Sequence, residues 1–452
     1  MEGVKFPAYS SFHAYSKSHF SQIRQLKTLS REMRFAMRVV ATALPFRVNQ
    51  YVIDQLIDWD NVPDDPIFQM TFPQPGMLSR EHFEEVATLL KSNADNKTIM
   101  NTVHRIHMEL NPHPAEQMTL NVPMLNGVPL QGIQHKYRET VLFFPTQGQT
   151  CHSYCTFCFR WPQFAKEKEL RICIKEGLNL HEYLKGHKEV SDLLVTGGDP
   201  MVMKSSSLSR YLLPLRSPDF DHIQTIRIGT KALTYWPQRF VSDNDADELL
   251  FTFEKLVKSG KHIAIMAHYN HWREMETPIA REAIRQVRNT GAVIRAQGPL
   301  LAHINDDKDV WATMWRKQVR LGMTPYYMFV ERDTGAYRHF KVPLARAWEI
   351  YQGGIQQVSG LARTVRGPSM SASPGKVEIQ GVAEVKGETV FVLRFLQGRN
   401  PDWVERPFFA KFDPDATWLN HLKPAFGEER FFYEEEFEAM RTRREKKNKL
   451  DY

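Results

Sequence analysis

Residues 151–158 read Cys151-His152-Ser153-Tyr154-Cys155-Thr156-Phe157-Cys158 and place three of the four cysteines of the chain within eight positions. Thiolates at CxxxCxxC spacing can hold three irons of a [4Fe–4S] cube and leave the fourth iron open to another ligand. A structural zinc ion usually takes four ligands, as two separated pairs. Here the remaining cysteine, Cys173, stands fifteen residues on, beyond a basic segment, and His152 would have to serve from inside the loop. Three unrelated core cysteines are the bland alternative. A second constellation, Gly197-Gly198-Asp199, adds weight to the iron–sulfur reading. A glycine pair lets backbone approach a ligand closely, and Asp199 can accept from an ammonium group. S-adenosylmethionine (SAM) chelating an open iron has both needs. Alone, such a tripeptide is an ordinary turn more often than not.

The elements that must position these groups begin near Thr140. β-Branched runs recur at 141–145, 192–196, 223–229, 263–269, 292–297 and 326–330, with helical patterns between them at 245–258, 278–289 and 309–321. Alternating strands and helices argue for an α/β fold with a parallel sheet. Six units are too few for a closed eight-stranded barrel, so the sequence predicts an incomplete (β/α)6 TIM-like barrel, open on one side. In such folds the chemistry collects at the C-terminal ends of the strands. The cysteines follow the first strand, Gly197 to Asp199 follow the second, His268 and Asn270 end the fourth, and Gln297 ends the fifth. Residues 1–20 are expected to be disordered. Residues 21–134 form a helical segment and linker, with Ser79 capping a helix that carries Glu81 and Glu84 in its first turn. Residues 135–335 are the partial barrel. Residues 336–452 form a small α+β extension: a helix from Leu344, a Ser/Pro/Gly loop to Lys376, short strands at 377–385 and 389–395, and a basic tail.

Bulk properties bound the setting. The 452 residues are 42% apolar, and 59 Lys plus Arg against 52 Asp plus Glu leave a net charge of +7. Part of that excess lies in the tail around Arg441 to Lys447 and the rest reads as scattered, which favours a solvated terminus over a nucleic-acid partner. Four cysteines in so long a chain do not make a secreted disulfide framework. No apolar run approaches the roughly 18 residues of a membrane span, and the first twenty residues lack the apolar stretch of a signal peptide. A cytoplasmic, reducing location is expected.

With these motifs in place, the chain resembles the lysine 2,3-aminomutase family of radical SAM enzymes. The likeness runs from about Thr42 to Lys376 and is clearest at 135–164, 193–200, 226–240, 268–271 and 297–307. It implies a [4Fe–4S] cluster, SAM and pyridoxal 5′-phosphate (PLP) as cofactors. SAM on the open iron is cleaved reductively, and an amino acid held on PLP moves its nitrogen from Cα to Cβ. By resemblance, Cys151, Cys155 and Cys158 hold the cluster. Gly197, Gly198, Asp199 and Gln297, with His268 and Asn270, bind SAM. Lys376 forms the Schiff base with PLP, Tyr137 packs near that cofactor, and Arg160 grips the substrate carboxylate, as a guanidinium can do bidentately.

Three departures from the family pattern stand out. The glycine run before the lysine is Ser371-Ala372-Ser373-Pro374-Gly375 here. An arginine that helps hold the PLP phosphate is replaced by Thr140, with Arg138 or Lys136 as substitutes, and two extra residues separate Tyr137 from the first cysteine. Finally, Arg332 and Ser369 stand where lysine-specific members carry two aspartates. A cation repels ammonium and attracts carboxylate, so the expected substrate is a non-cationic amino acid, glutamate first. A flavodoxin or ferredoxin is the expected electron donor, and the helical arm suggests a homo-oligomer. Neither nucleic acid nor membrane is expected as a partner. The competing readings are a PLP-independent radical SAM enzyme and, more remotely, a non-enzymatic zinc or nucleic-acid-binding protein.

Overall fold

The computed structural model describes residues 12–111, 120–165 and 177–450, with side chains to residue 443 in the last helix. At the N-terminal end β1 (Ala14–Ser16) pairs antiparallel with β2 (Arg47–Asn49). Helix α1 (Arg31–Ala43) lies between these two strands, and α2 (Pro66–Thr71), α3 (Arg80–Lys91) and α4 (Asn96–Glu109) follow them. Their starts are set by Ser30, Asp65, Ser79 and Asp95, each of which accepts a first-turn backbone N–H. Residues 12–20, expected to be disordered, are ordered by the β1–β2 pair and by Phe20 packing 4.7 Å from the Phe46 ring. A small hairpin, β3 (Met124–Leu125) with β4 (Val128–Pro129), interrupts the linker.

The centre is an eleven-stranded sheet whose strands stand side by side in chain order. They are β5 (Ile133–Tyr137), β6 (Thr140–Phe143), β7 (Asp192–Val195), β8 (Thr225–Thr230), β9 (His262–His268), β10 (Val293–Leu300), β11 (Thr324–Val330), β12 (Arg366–Ser371), β13 (Gly375–Val385), β14 (Glu388–Gly398) and β15 (Pro407–Lys411). Neighbours from β6 to β12 are parallel; β5 on one edge and β13 to β15 on the other are antiparallel. Seven parallel strands therefore stand where six were expected. The extra one, β12, reads Arg-Gly-Pro-Ser-Met-Ser and lacks the β-branched signature of a strand. It is extended because the edge of β11 offers backbone partners. For the same reason the 336–452 segment is not a separate layer: its strands continue the sheet.

Between the strands run α5 (Gly177–Gly186), α6 (Ser205–Leu212), α7 (Ala232–Tyr235), α8 (Ala246–Lys258), α9 (Pro278–Asn289), α10 (Lys308–Arg320), α11 (Tyr337–Phe340) and α12 (Leu344–Gln356), and α13 (Glu434–Leu450) closes the chain. α9 shows how they dock: its buried residues Ile279, Ala280, Ala283, Ile284 and Val287 share one helical stripe. β8 and β10 alternate strictly between buried and part-buried residues. Ile226, Ile228, Ile294 and Ala296 join the core, whereas Arg227, Gly229, Gln297 and Pro299 face an internal cavity.

Flat, the seven strand-to-strand steps from β5 to β12 would span roughly 34 Å at the usual spacing. Yet Lys136 Nζ on β5 donates to Ala372 O, just past β12, at 2.6 Å. The sheet is therefore bent until these two regions meet. The N-terminal helices share a core with Phe157 and Trp161, and Cys155 packs against it, so this segment is built onto the cysteine loop. Among the described residues no helix is long and apolar enough to cross a membrane.

Candidate active site

One cavity of about 340 Å³ collects most of the residues singled out above: Tyr137, the three clustered cysteines, Arg160, Gly197 to Asp199, His268, Gln297, Arg332 and Lys376 all line it. The cysteine loop is held from outside by the N-terminal segment. Tyr154 N donates to Arg47 O at 2.8 Å, and Thr156 N and Oγ1 donate to Met70 O and Gln69 O at 2.9 and 2.8 Å. Burial pushes the Cys158 thiol up to about 11, and those of Cys151 and Cys155 further. Buried thiolates need a cation beside them, and the irons of a cluster supply that charge. The donor set fits the group. Among the described residues no three or more His, Cys, Asp or Glu are placed to hold a single metal ion. His152 is turned away from that role: its Nε2 donates to Asp199 Oδ2 at 3.0 Å, with both groups buried. Cys173 lies outside the described residues.

The Gly-Gly-Asp turn serves the protein's own backbone. A Cβ on Gly198 would sit 2.4 Å from Thr150 O, and one on Gly197, at φ +157°, would meet Gly148 O at 2.8 Å. Gly198 N donates to Gly148 O and Asp199 N to Thr150 O, so the turn seats the residues entering the cysteine loop. The Asp199 carboxylate accepts from His152 Nε2, Thr230 Oγ1, Lys231 N and Met201 N. Burial pushes its pKa up, but those hydrogen bonds, His152 first, bring it below the ordinary value. The sequence reading gave Asp199 to a ligand ammonium; the structure spends its acceptors on the strand and loop.

His268 and Gln297 are opposite partners on β9 and β10, and Gln297 Nε2 donates to His268 Nε2 at 3.0 Å. Burial, then Lys231 and Arg160, bring the imidazole down to about 4, so it is neutral near pH 7. Asn270, grouped with them by sequence, does not line the cavity. Its Oδ1 accepts from Lys231 Nζ at 3.0 Å, and its N–H donates to Glu274. Lys231, which lines the cavity, forms a buried ion pair of 2.6 Å with Glu274 behind it. Sequence reading missed both: nothing marks a lysine in a strand-end turn and a glutamate 43 residues later as partners.

Lys376 lies on β13, and its Nζ stands 4.1 Å from the centroid of the Tyr327 ring and 5.7 Å from that of Phe329. Burial, with Arg227 and Arg366 adding to it and Asp192 opposing, lowers this amine to about 7. An amine part-neutral near pH 7 can attack an aldehyde, which fits PLP. Of the two substitutes named for the missing arginine, Lys136 lines the cavity and the exposed Arg138 does not. Arg227, paired with Asp192 at 2.8 and 2.5 Å, brings a cation that the sequence did not single out.

Arg160 and Arg332 share Phe159, their guanidinium carbons 5.2 and 5.5 Å from its ring centroid. Arg160 also donates to Thr196 Oγ1 at 2.8 Å and Gly197 O at 3.2 Å. Glu331 lines the same wall, and burial raises its carboxyl well above the ordinary value despite Arg332. Ser369, expected to join Arg332 at the substrate, is fully buried on β12 and does not line the cavity. Ser371, two residues nearer the strand's C-terminal end, does; depth along a strand is fixed by register, which sequence does not carry.

Three cysteine thiols and a lysine of lowered pKa thus meet on one cavity of an α/β sheet, a donor set that fits a [4Fe–4S] cluster and the aldehyde of PLP. A scan against protein-family models gives no match. Sequence relatives do. The chain is 30% identical over 399 residues to a provisionally named L-lysine 2,3-aminomutase of Aquifex aeolicus, covering 88% of this chain and 93% of that one. It is 28% identical to L-lysine 2,3-aminomutase of Bacillus subtilis over 56% of this chain and 50% of the relative. Glutamate 2,3-aminomutase of Clostridioides difficile is 26% identical over 57% of each. A SAM-bound crystal structure of Streptococcus suis SuiB superposes with a TM-score of 0.36 at 13% identity, over 61% of this chain and 58% of that one. The chain belongs to the lysine 2,3-aminomutase family. It is an isomerase of the 2,3-aminomutase type whose cofactors are a [4Fe–4S] cluster, SAM and PLP.

Proposed function

We propose that the protein moves the α-amino group of a non-cationic amino acid, glutamate-like in charge, to the β-carbon. The observation that carries this reading is the charge of the cavity wall. Arg160 and Arg332 flank one ring. Two acids on the wall offer little to a cation: Asp199 is committed to its hydrogen bonds, and burial raises the Glu331 carboxyl well above its ordinary value, which disfavours its charged form. A lysine side chain would bring its ammonium beside Arg332, a cation on the cavity wall. A glutamate side chain would bring a carboxylate to Arg332. Bound in this cavity, the cluster with SAM supplies one-electron hydrogen abstraction, and PLP supplies a covalent carrier for the migrating nitrogen.

The chain's own groups do the rest. Cys151, Cys155 and Cys158 hold the cluster, and Gly197, Gly198, Gln297 and His268 form the wall on which SAM would lie. Asp199 and Asn270 hold that wall in place. Lys376 offers the amine that PLP's aldehyde takes, with Tyr137 beside it and Lys136 and Arg227 as cations for the phosphate. Arg160 binds and orients the substrate α-carboxylate, and Arg332 selects its side chain. The meeting of Lys136 with Ala372 supports reading the sheet as an incomplete barrel whose open side is narrowed by β12 and β13. Purified, cofactor-loaded protein given lysine and glutamate in separate assays tests the substrate. The β-amino product of glutamate is expected to form faster, and faster formation of β-lysine would contradict the assignment.

A further inference from the structure

Besides the basic tail, positive charge concentrates near the N-terminal end, where the excess outside the tail was expected to be scattered. Between residues 12 and 49 the chain carries seven Lys or Arg against one acid, Glu32. Arg31, Arg34 and Arg38 lie at i, i+3 and i+7 on α1, and Arg24 and Lys27 stand on the preceding 3-10 turn (Arg24–Thr28). All but Arg34 are exposed, and Arg34 is half-buried. Lys91 of α3 adds a sixth cation over the Phe35 ring. Among the described residues, acids beside the patch include Glu32, whose carboxyl Arg34 helps hold down, and Asp54, which takes amides from Gln25 and Gln50.

The inner face of the same helix touches the cysteine loop. Val40, on the opposite side of α1 from Arg38, lines a small internal space together with Leu44, Cys155 and Cys158. Arg47, on β2, holds the loop through its carbonyl. One helix, about 10–12 Å across with its side chains, therefore separates the basic face from the cluster ligands. Electron transfer falls steeply with distance, so this is a short route from solvent into the site. A second copy of the chain fits poorly here, because two such faces would set like charges against each other.

We propose that this face of α1 docks an acidic one-electron carrier protein that reduces the cluster. The inference rests on the cluster reading above. One electron leaves the carrier, which is oxidised by one, and arrives on the cluster, which passes from the 2+ to the 1+ state; no bond or proton is exchanged at the interface. Charge steering of this kind raises association rates and makes affinity salt-dependent.

Flavodoxin, an acidic flavoprotein, is the probe. Titration of the full-length apoprotein with oxidised flavodoxin at low and high salt gives a Kd that does not depend on the cluster. The triple variant R31E/R34E/R38E is expected to weaken Kd at least tenfold at low salt and to lose its salt dependence. The surface reversal K188E/K258E is expected to leave Kd unchanged. In the cluster-loaded triple variant, reduced flavodoxin should generate the cluster's electron paramagnetic resonance signal more slowly than in the parent, whereas photoreduced deazaflavin should generate it at the parent rate. The pair R24E/K27E checks the same effect in a variant that leaves α1 intact. The docking proposal is overturned if flavodoxin binds the triple variant with the parent Kd, or if K188E/K258E weakens binding equally. A mixed-sequence RNA that binds the parent tightly and loses binding in the triple variant, while flavodoxin does not, would also overturn it. Absence of iron and sulfide from the parent protein would instead count against the cluster reading, leaving the Kd result standing.

Discussion

At the scale of single residues, Lys376 carries the clearest electrostatic expectation. Its amine sits near 7 because burial, Arg227 and Arg366 disfavour the charged form while Asp192 resists them. The neutral fraction grows as pH rises through that value. The rate at which PLP is taken up at Lys376 is therefore expected to climb between about pH 6 and 8 and then level off; an ordinary lysine would still be climbing beyond about pH 10. Arg227→Met removes a cation and frees Asp192, and both changes raise the Lys376 pKa. Its uptake profile, followed by cofactor absorbance, should move to higher pH. Arg332 carries the second expectation. Arg332→Asp should lower the glutamate-to-lysine rate ratio at least tenfold, about 1.4 kcal/mol, read in paired product assays. At this scale the sequence was most legible where chemistry dictates residue type. The CxxxCxxC spacing pointed to Cys151, Cys155 and Cys158 as cluster ligands, whereas Lys376 was singled out only through the family resemblance. Ser369, Asn270 and the ammonium-binding role given to Asp199 were misplaced because which partner a polar group faces is decided by register and turn geometry.

At the scale of elements, the turn after β7 is a joint. Gly198 approaches Thr150 so closely that no side chain fits, and Asp199 fastens the cysteine loop, the start of the turn after β8 and its own 3-10 turn together. Gly198→Ala must shift the residues entering the loop. It is expected to cost about 1–3 kcal/mol in denaturant unfolding and to lower iron retention, with SAM absent from both measurements. Lys231→Met would leave Glu274 buried and unpaired. A loss of about 3–5 kcal/mol is expected, and K231M/E274Q should recover part of it. β12 was illegible because a strand of Arg-Gly-Pro-Ser-Met-Ser has no strand-like composition. It is held by β11 and β13, partners set by the fold, and Lys376 lies within β13 and not in a loop.

At the scale of the whole molecule, the alternation of strands and helices made the parallel sheet legible, and the β-branched runs gave its strands to within a few residues. The curvature was not legible, because it emerges from many small inter-strand rotations. That curvature puts Tyr137 near one end of the sheet and Lys376 near the other on a single cavity. It also lets cysteines in the loop after the first parallel strand share a space with a lysine 218 residues beyond Cys158. Whether this shared space joins the cluster to PLP on Lys376 is tested by borohydride reduction of PLP-loaded protein followed by peptide mass spectrometry. One pyridoxyl group is expected, on Lys376, and it should be lost in Lys376→Met. A pyridoxyl group on Lys231 or Lys136 instead, or none on any lysine, would contradict this assignment.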